Sequence, residues 1–113
     1  MTVKEALKAV HAYPIPENVL ANTASARELT LEADITSTIR QDNKFKLAEA
    51  DLLVWVSRAP NVTEGGVSFD MLVTDRKELR ERANQIYGDL GDAKYVPPAP
   101  IVSNVFTYKG EDI

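Results

Sequence analysis

Few residues in this chain could do acid–base or nucleophilic chemistry, and their spacing limits what each can achieve. Among 113 residues there is one histidine and no cysteine. The missing cysteines exclude disulfides, thiol catalysis and cysteine-type zinc sites. His11 alone makes neither a metal site without carboxylate help nor a triad without Ser and Asp partners, so it reads as structural. Glu49 and Asp51 interrupt the strongest helical pattern, but side chains two apart on a helix point to different faces and form no dyad. Glu32 and Asp34 lack metal-loop spacing. Thr63-Glu64-Gly65-Gly66-Val67 lacks the Walker spacing and the Lys-Ser/Thr pair, so its glycines read as a turn. In 75–82, Arg76, Lys77, Arg80 and Arg82 alternate with three acids, the pattern of a solvated helix face held by i,i+3 and i,i+4 pairs. No enzyme signature emerges. The chain is expected to be non-catalytic, with no cofactor and no metal.

Composition narrows the class further. Thirteen Lys and Arg against 17 Asp and Glu give a net charge of −4, a poor basis for sequence-specific nucleic-acid binding. Hydrophobic residues at 44% and charged residues at 27% match a globular chain, and this length should bury roughly two-thirds of its unfolded surface. The longest apolar run is residues 52–56, far too short to span a membrane. Lys4, Glu5 and Lys8 stand where a signal peptide would need an apolar run. A cytoplasmic protein is expected.

The elements that must position these residues follow from periodicity. Val3, Ala6, Leu7 and Val10 form a helical stripe over 2–12, opened by a Thr2/Glu5 capping box. After the Tyr13-Pro14-Ile15-Pro16 elbow, a helix with a thin apolar face covers 16–28. Residues 29–39 alternate like a strand yet also share a helical face; a continued or broken helix is expected. Residues 42–59 carry the widest stripe, with Phe45, Ala48, Leu52, Trp55 and Ala59 in line. The Gly-Gly pair and Val67, Phe69 and Met71 at period two predict a turn and a short strand, with 61–63 as its hairpin partner. A final helix should start at an Asp75/Glu78 box and end at Gly91. The expected core joins Leu52, Trp55 and Val56 to Leu7, Val10, Leu79 and Ile86.

The fold class expected is therefore mainly α. Residues 1–91 form a bundle of about four helices with a short Gly-Gly β element, and 92–113 form an extended, proline-rich tail. Within that tail, 101–108 has strong strand propensity and no obvious partner nearby. Three outcomes stay open for it: pairing outside its own domain, folding back onto residues 67–73, or a frayed terminus.

In the order of its features the chain resembles the head–tail connector (adaptor) proteins of tailed phages, and short prophage proteins of gut bacteria in particular. The resemblance rests on Val-Lys-Glu-Ala-Leu-Lys, Lys-Leu-Ala-Glu-Ala-Asp-Leu-Leu-Val-Trp, Glu-Gly-Gly-Val-Ser-Phe and Asp-Arg-Lys-Glu-Leu-Arg-Glu-Arg-Ala-Asn-Gln-Ile-Tyr-Gly. It covers about residues 2–91. It implies a ring-forming structural protein between portal and tail, self-associating and bound to portal or tail proteins. Such a protein would be virion-associated after assembly in the bacterial cytoplasm. It also implies that the segment from Glu64 through Gly65, Gly66 and Val67 to Phe69 lies in subunit contact. Val102, Phe106 and Tyr108 join that candidate interface as one face of the tail strand. The rival expectation is a regulatory module binding a small ligand or peptide in an apolar groove near Trp55.

Overall fold

The computed structural model describes residues 1–64 and 66–98. Their elements, in chain order, are α1 (Val3–Lys8), α2 (Glu17–Ala26), α3 (Ser37–Gln41), α4 (Asn43–Arg58), β1 (Val62–Glu64), β2 (Val67–Phe69) and α5 (Val73–Asp89). The mainly α class holds, with α3 as a short fifth helix beyond the four expected. β1 and β2 pair antiparallel as the Gly-Gly β element.

The capping box forms as read: Thr2 Oγ1 accepts from the Glu5 N–H (3.2 Å), and Glu5 Oε1 accepts from the Thr2 N–H (2.8 Å). The helix it opens stops at Lys8, short of residue 12. Beyond it the Tyr13 N–H is taken by His11 Nδ1 at 3.0 Å, which turns the chain into the proline elbow.

Residues 29–35 correct the expectation of a helix there. Glu28 adopts a left-handed φ of 60°, which breaks the helical path. The chain then runs as a strap beside the start of α1. Val3 and Lys4 donate their N–H groups to the Ala33 and Leu31 carbonyls (2.8 and 3.0 Å), and Ile35 donates to the Met1 carbonyl (2.9 Å). The first N–H groups of a helix have no partner inside it, so the strap satisfies donors that would otherwise be orphaned.

Asp42 caps α4 by accepting the Lys44 N–H at 2.8 Å. Phe45, Ala48, Leu52, Leu53 and Val56 are fully buried along it, and α5 answers with Leu79, Ala83 and Tyr87. The α4–α5 pair is the main helix contact of the fold. Leu7 is buried as expected, whereas Trp55, Val10 and Ile86 are only half-buried at the core margin. Trp55 meets Tyr13 edge-on, ring centroids 5.7 Å apart. The α5 start is also corrected. The helix begins at Val73, and Asp75 is the acid that reaches back, its Oδ2 accepting the Leu72 N–H at 3.0 Å.

Candidate functional site

Two places on the described surface are built by long-range polar contacts: the outlet of α5, and the root of the hairpin. Both lie along the α4–α5 seam.

At the outlet, Arg27 at the end of α2 reaches two carboxylates. Its Nε and Nη2 grip Asp51 on α4 (2.7 and 3.0 Å), and Nη1 meets Asp92 just beyond α5 (2.9 Å). The Tyr87 hydroxyl (2.5 Å) and Lys94 Nζ (3.1 Å) also donate to Asp51 Oδ1. The Arg27 and Asp51 side chains are only 14% and 9% exposed. Burial by itself would raise the Asp51 carboxyl, but the bonds from Arg27, Tyr87 and Lys94 outweigh it and hold it below the ordinary range. Hydrogen bonding to Arg27 lowers the Asp92 carboxyl too. Burial, then the bond to Asp51, pushes the Tyr87 phenol up. Three of its four donors converge on Oδ1 and one on Oδ2, which holds Asp51 as an ionised acceptor. The cluster is a clamp: it ties the ends of α2 and α5 to the middle of α4.

Beyond the clamp the chain turns back along α5. The Tyr95 ring lies so close to Gly88 that a Cβ there would sit 2.7 Å from it. Asn84, one turn earlier, holds the Val96 backbone at both ends, donating to its carbonyl (2.7 Å) and accepting its N–H (2.8 Å). Pro97 and Pro98 then wall an open cleft of about 640 Å³ between α4 and α5, with Arg58, Lys77, Arg80 and Lys94 around it.

At the hairpin root, Arg76 donates to the Ser57 and Ala59 carbonyls at the end of α4 and to Asn61 Oδ1 (2.8 Å). The same Asn61 oxygen accepts the Met71 N–H at 2.9 Å. Arg76 is thus half-buried and structural, unlike the exposed Lys77, Arg80 and Arg82 beside it. Pairing of Glu64 with Val67 leaves a two-residue turn, and Gly66 in it has φ +80°, a positive value as the Gly-Gly reading required. Thr63 and Ser68 face each other across the ribbon, hydroxyls 3.3 Å apart. Leu72 and Val73, at the root, are 70% and 82% exposed.

The expected interface residues fall into two groups. Glu64, Gly66, Val67 and Phe69 are brought together by the hairpin backbone; Gly65, Val102, Phe106 and Tyr108 lie outside the described residues. An open cleft lies on the Asp51–Arg58 side of α4, and Trp55 is not among its lining residues. Among the described residues, no three His, Cys, Asp or Glu side chains are grouped to hold a metal ion, and no helix is long and apolar enough to cross a membrane. The Arg27–Asp51–Asp92 clamp went unread because its members lie 24 and 65 positions from Arg27. One signal pointed to it: Asp51 directly precedes the apolar run 52–56, and a carboxylate drawn into that buried stretch demands a partner.

This is a small helical domain that presents a hairpin and a clamped, proline-rich outlet. The chain belongs to the family of unknown function DUF6706, whose model matches residues 1–108. No curated protein and no solved structure matches it significantly.

Proposed function

We propose that the protein is a non-catalytic structural adaptor of a phage-type particle, joining portal and tail through ring-like self-association. The observation that carries this reading is the hairpin with exposed Leu72 and Val73 at its root. A two-stranded ribbon is marginal in water, and large apolar side chains left bare beside it favour cover by another surface. In this reading the hairpin from Glu64 to Phe69 makes the subunit contact, with Val102, Phe106 and Tyr108 as further candidates from the sequence alone. Two further points support the reading. Asp51, the carboxylate at the centre of the outlet cluster, is engaged by four donors in a structural clamp. The family match runs through residue 108, so the strand-forming stretch after the prolines belongs to the shared unit.

Light scattering across a concentration series tests self-association. Wild type should gain mass with concentration, while Leu72→Lys/Val73→Lys should stay monomeric with an unchanged melt. A monomer at every concentration, or oligomers in the double variant, overturns the reading. Portal, protease and capsid genes beside this one, and co-purification with that portal protein, test the particle assignment.

A second reading, a regulatory module binding a small ligand or peptide, draws on the cleft with its four basic side chains. It predicts a stable monomer whose melting rises with an acidic peptide.

A further inference from the structure

We propose that the cleft between α4 and α5 docks an acidic, extended segment of a partner protein. This deepens, and rests on, the ligand-binding reading of the cleft; it is independent of self-association through the hairpin. Most cations of the described residues are already engaged. Lys4 and Lys8 pair with Glu17, Lys44 with Glu28, and Arg27 and Lys94 with the carboxylates of the clamp. Arg76 holds the end of α4, and Arg40, Lys46 and Arg82 exert their charge on the half-buried Glu49. Arg58, Lys77 and Arg80 remain. Among the described residues none of them has a carboxylate within ion-pair distance, and all three line this one cleft.

The two helices shape the cleft as a groove. They run antiparallel: Arg76 reaches the Ser57 and Ala59 carbonyls at one end, and Tyr87 reaches Asp51 at the other. Lys77, Arg80, Asn84 and Tyr87 follow at helical spacing along one face of α5, and Asp51, Val54 and Arg58 do the same on α4. From Lys77 to Tyr87 is ten residues, about 15 Å at the helical rise of 1.5 Å. An extended peptide of about five residues spans that length at roughly 3.3 Å per residue.

The distribution of charge names the occupant. Lys94 is committed to Asp51 at the outlet end, so the uncompensated charge lies at the hairpin end with Arg58, Lys77 and Arg80. Glu81 is the one other acid in the lining. Arginine forks match carboxylates, and Val54, Val96, Pro97 and Pro98 offer an apolar wall to aliphatic side chains of the same segment. A chain of net charge −4 that gathers its unpaired cations at one cleft steers an acidic segment to that face. A nucleic-acid strand fits less well, because Glu81 and the apolar wall interrupt any track of cations along which phosphates could run.

Fluorescence anisotropy tests this with the full-length protein and two labelled, end-capped octapeptides, one alternating glutamate with leucine and the other glutamine with leucine. The glutamate peptide should bind saturably, roughly tenfold more tightly than the glutamine peptide, and should weaken as salt is raised. Arg58→Gln/Arg80→Gln should weaken it by a similar factor with an unchanged melt, since neither side chain has a hydrogen bond or ion pair among the described residues. Arg82→Gln, on the same helix but beside His11 at a different pocket, should bind as wild type does. Should the double variant melt lower, Lys77→Gln decides by itself, and wild-type affinity in it overturns the inference. Equal binding of the two peptides, or undiminished binding by Arg58→Gln/Arg80→Gln, overturns the inference and leaves the cleft as a site for another ligand. No saturable binding of either peptide up to about 1 mM overturns the inference together with the peptide form of that reading. Tighter binding of a labelled oligothymidylate of equal charge also overturns it and assigns the cleft to nucleic acid.

Discussion

Arg27 ties distant elements together, because its fork satisfies two carboxylates from different parts of the chain at once. Removing it strands Asp51 in a half-dry seam with Tyr87 and Lys94 as its remaining donors. Arg27→Met should therefore cost about 2–3 kcal/mol, below the full penalty of an unpaired buried charge. Calorimetric melting checks this; an unchanged midpoint would show that the clamp contributes nothing. The pH dependence follows from the same bonds. Asp51 and Asp92 are held below their unfolded values, so their stabilisation is complete above the ordinary carboxylate range near 4. It drains away as pH falls through the depressed native values. Glu49 acts in the opposite sense, its carboxyl pushed up by burial, and offsets part of the loss. The melting point should stay level from neutral pH to about 5 and drop below 4. Asp51→Asn should flatten that drop; an equally steep fall in the variant would shift the cause elsewhere. Periodicity showed Asp51 as an interruption, but no local pattern names a partner tens of residues away.

At the scale of elements, the outlet of α5 depends on two glycines with different roles. Gly91 has a left-handed φ of 66° and closes the helix, the role expected of it. Gly88 is different, since its bare Cα makes room for the Tyr95 ring. Gly88→Ala gains helix propensity, worth about 1 kcal/mol at most. It should nevertheless displace Tyr95 and loosen the Asn84–Val96 pair. The check is faster amide exchange at Val96 despite an unchanged or higher melting point; unaltered exchange there would contradict the close-approach role. The hairpin turn offers a companion case. A side chain at Gly66 would meet no atom within 4 Å, so substitution there tests the backbone alone. Gly66→Ala should cost about 1 kcal/mol and Gly66→Asn less, because asparagine enters left-handed geometry more easily. Equal costs in chemical denaturation would sink that account. The turn was legible because Gly-Gly is a local signal. The strap at 29–35 was not, because its bonds go to residues 1–4 and its identity depends on docking there.

For the whole molecule, the widest stripe correctly marked α4 as the centre, and the elements beside it settled which of its residues are sealed. Helix periodicity places Trp55 on that stripe, yet a stripe cannot show where neighbouring elements stop. The proline elbow covers one edge of the indole through Tyr13 and leaves Trp55 half-buried, while Leu52 and Leu53 are enclosed on every side. The ordinary rank of the two substitutions should consequently invert. Leu52→Ala opens a cavity that rigid neighbours on α1, α4 and α5 cannot collapse into, and should cost about 3–4 kcal/mol. Trp55→Ala loses a larger side chain, but part of its surface already meets water and its void opens to solvent. Its cost should be about 2 kcal/mol, under the usual range for a sealed tryptophan. Urea unfolding of both variants, with m-values compared to confirm a shared mechanism, decides the matter. A Trp55→Ala loss exceeding that of Leu52→Ala would mean that the core centres on the Tyr13–Trp55 contact instead of the α4–α5 seam.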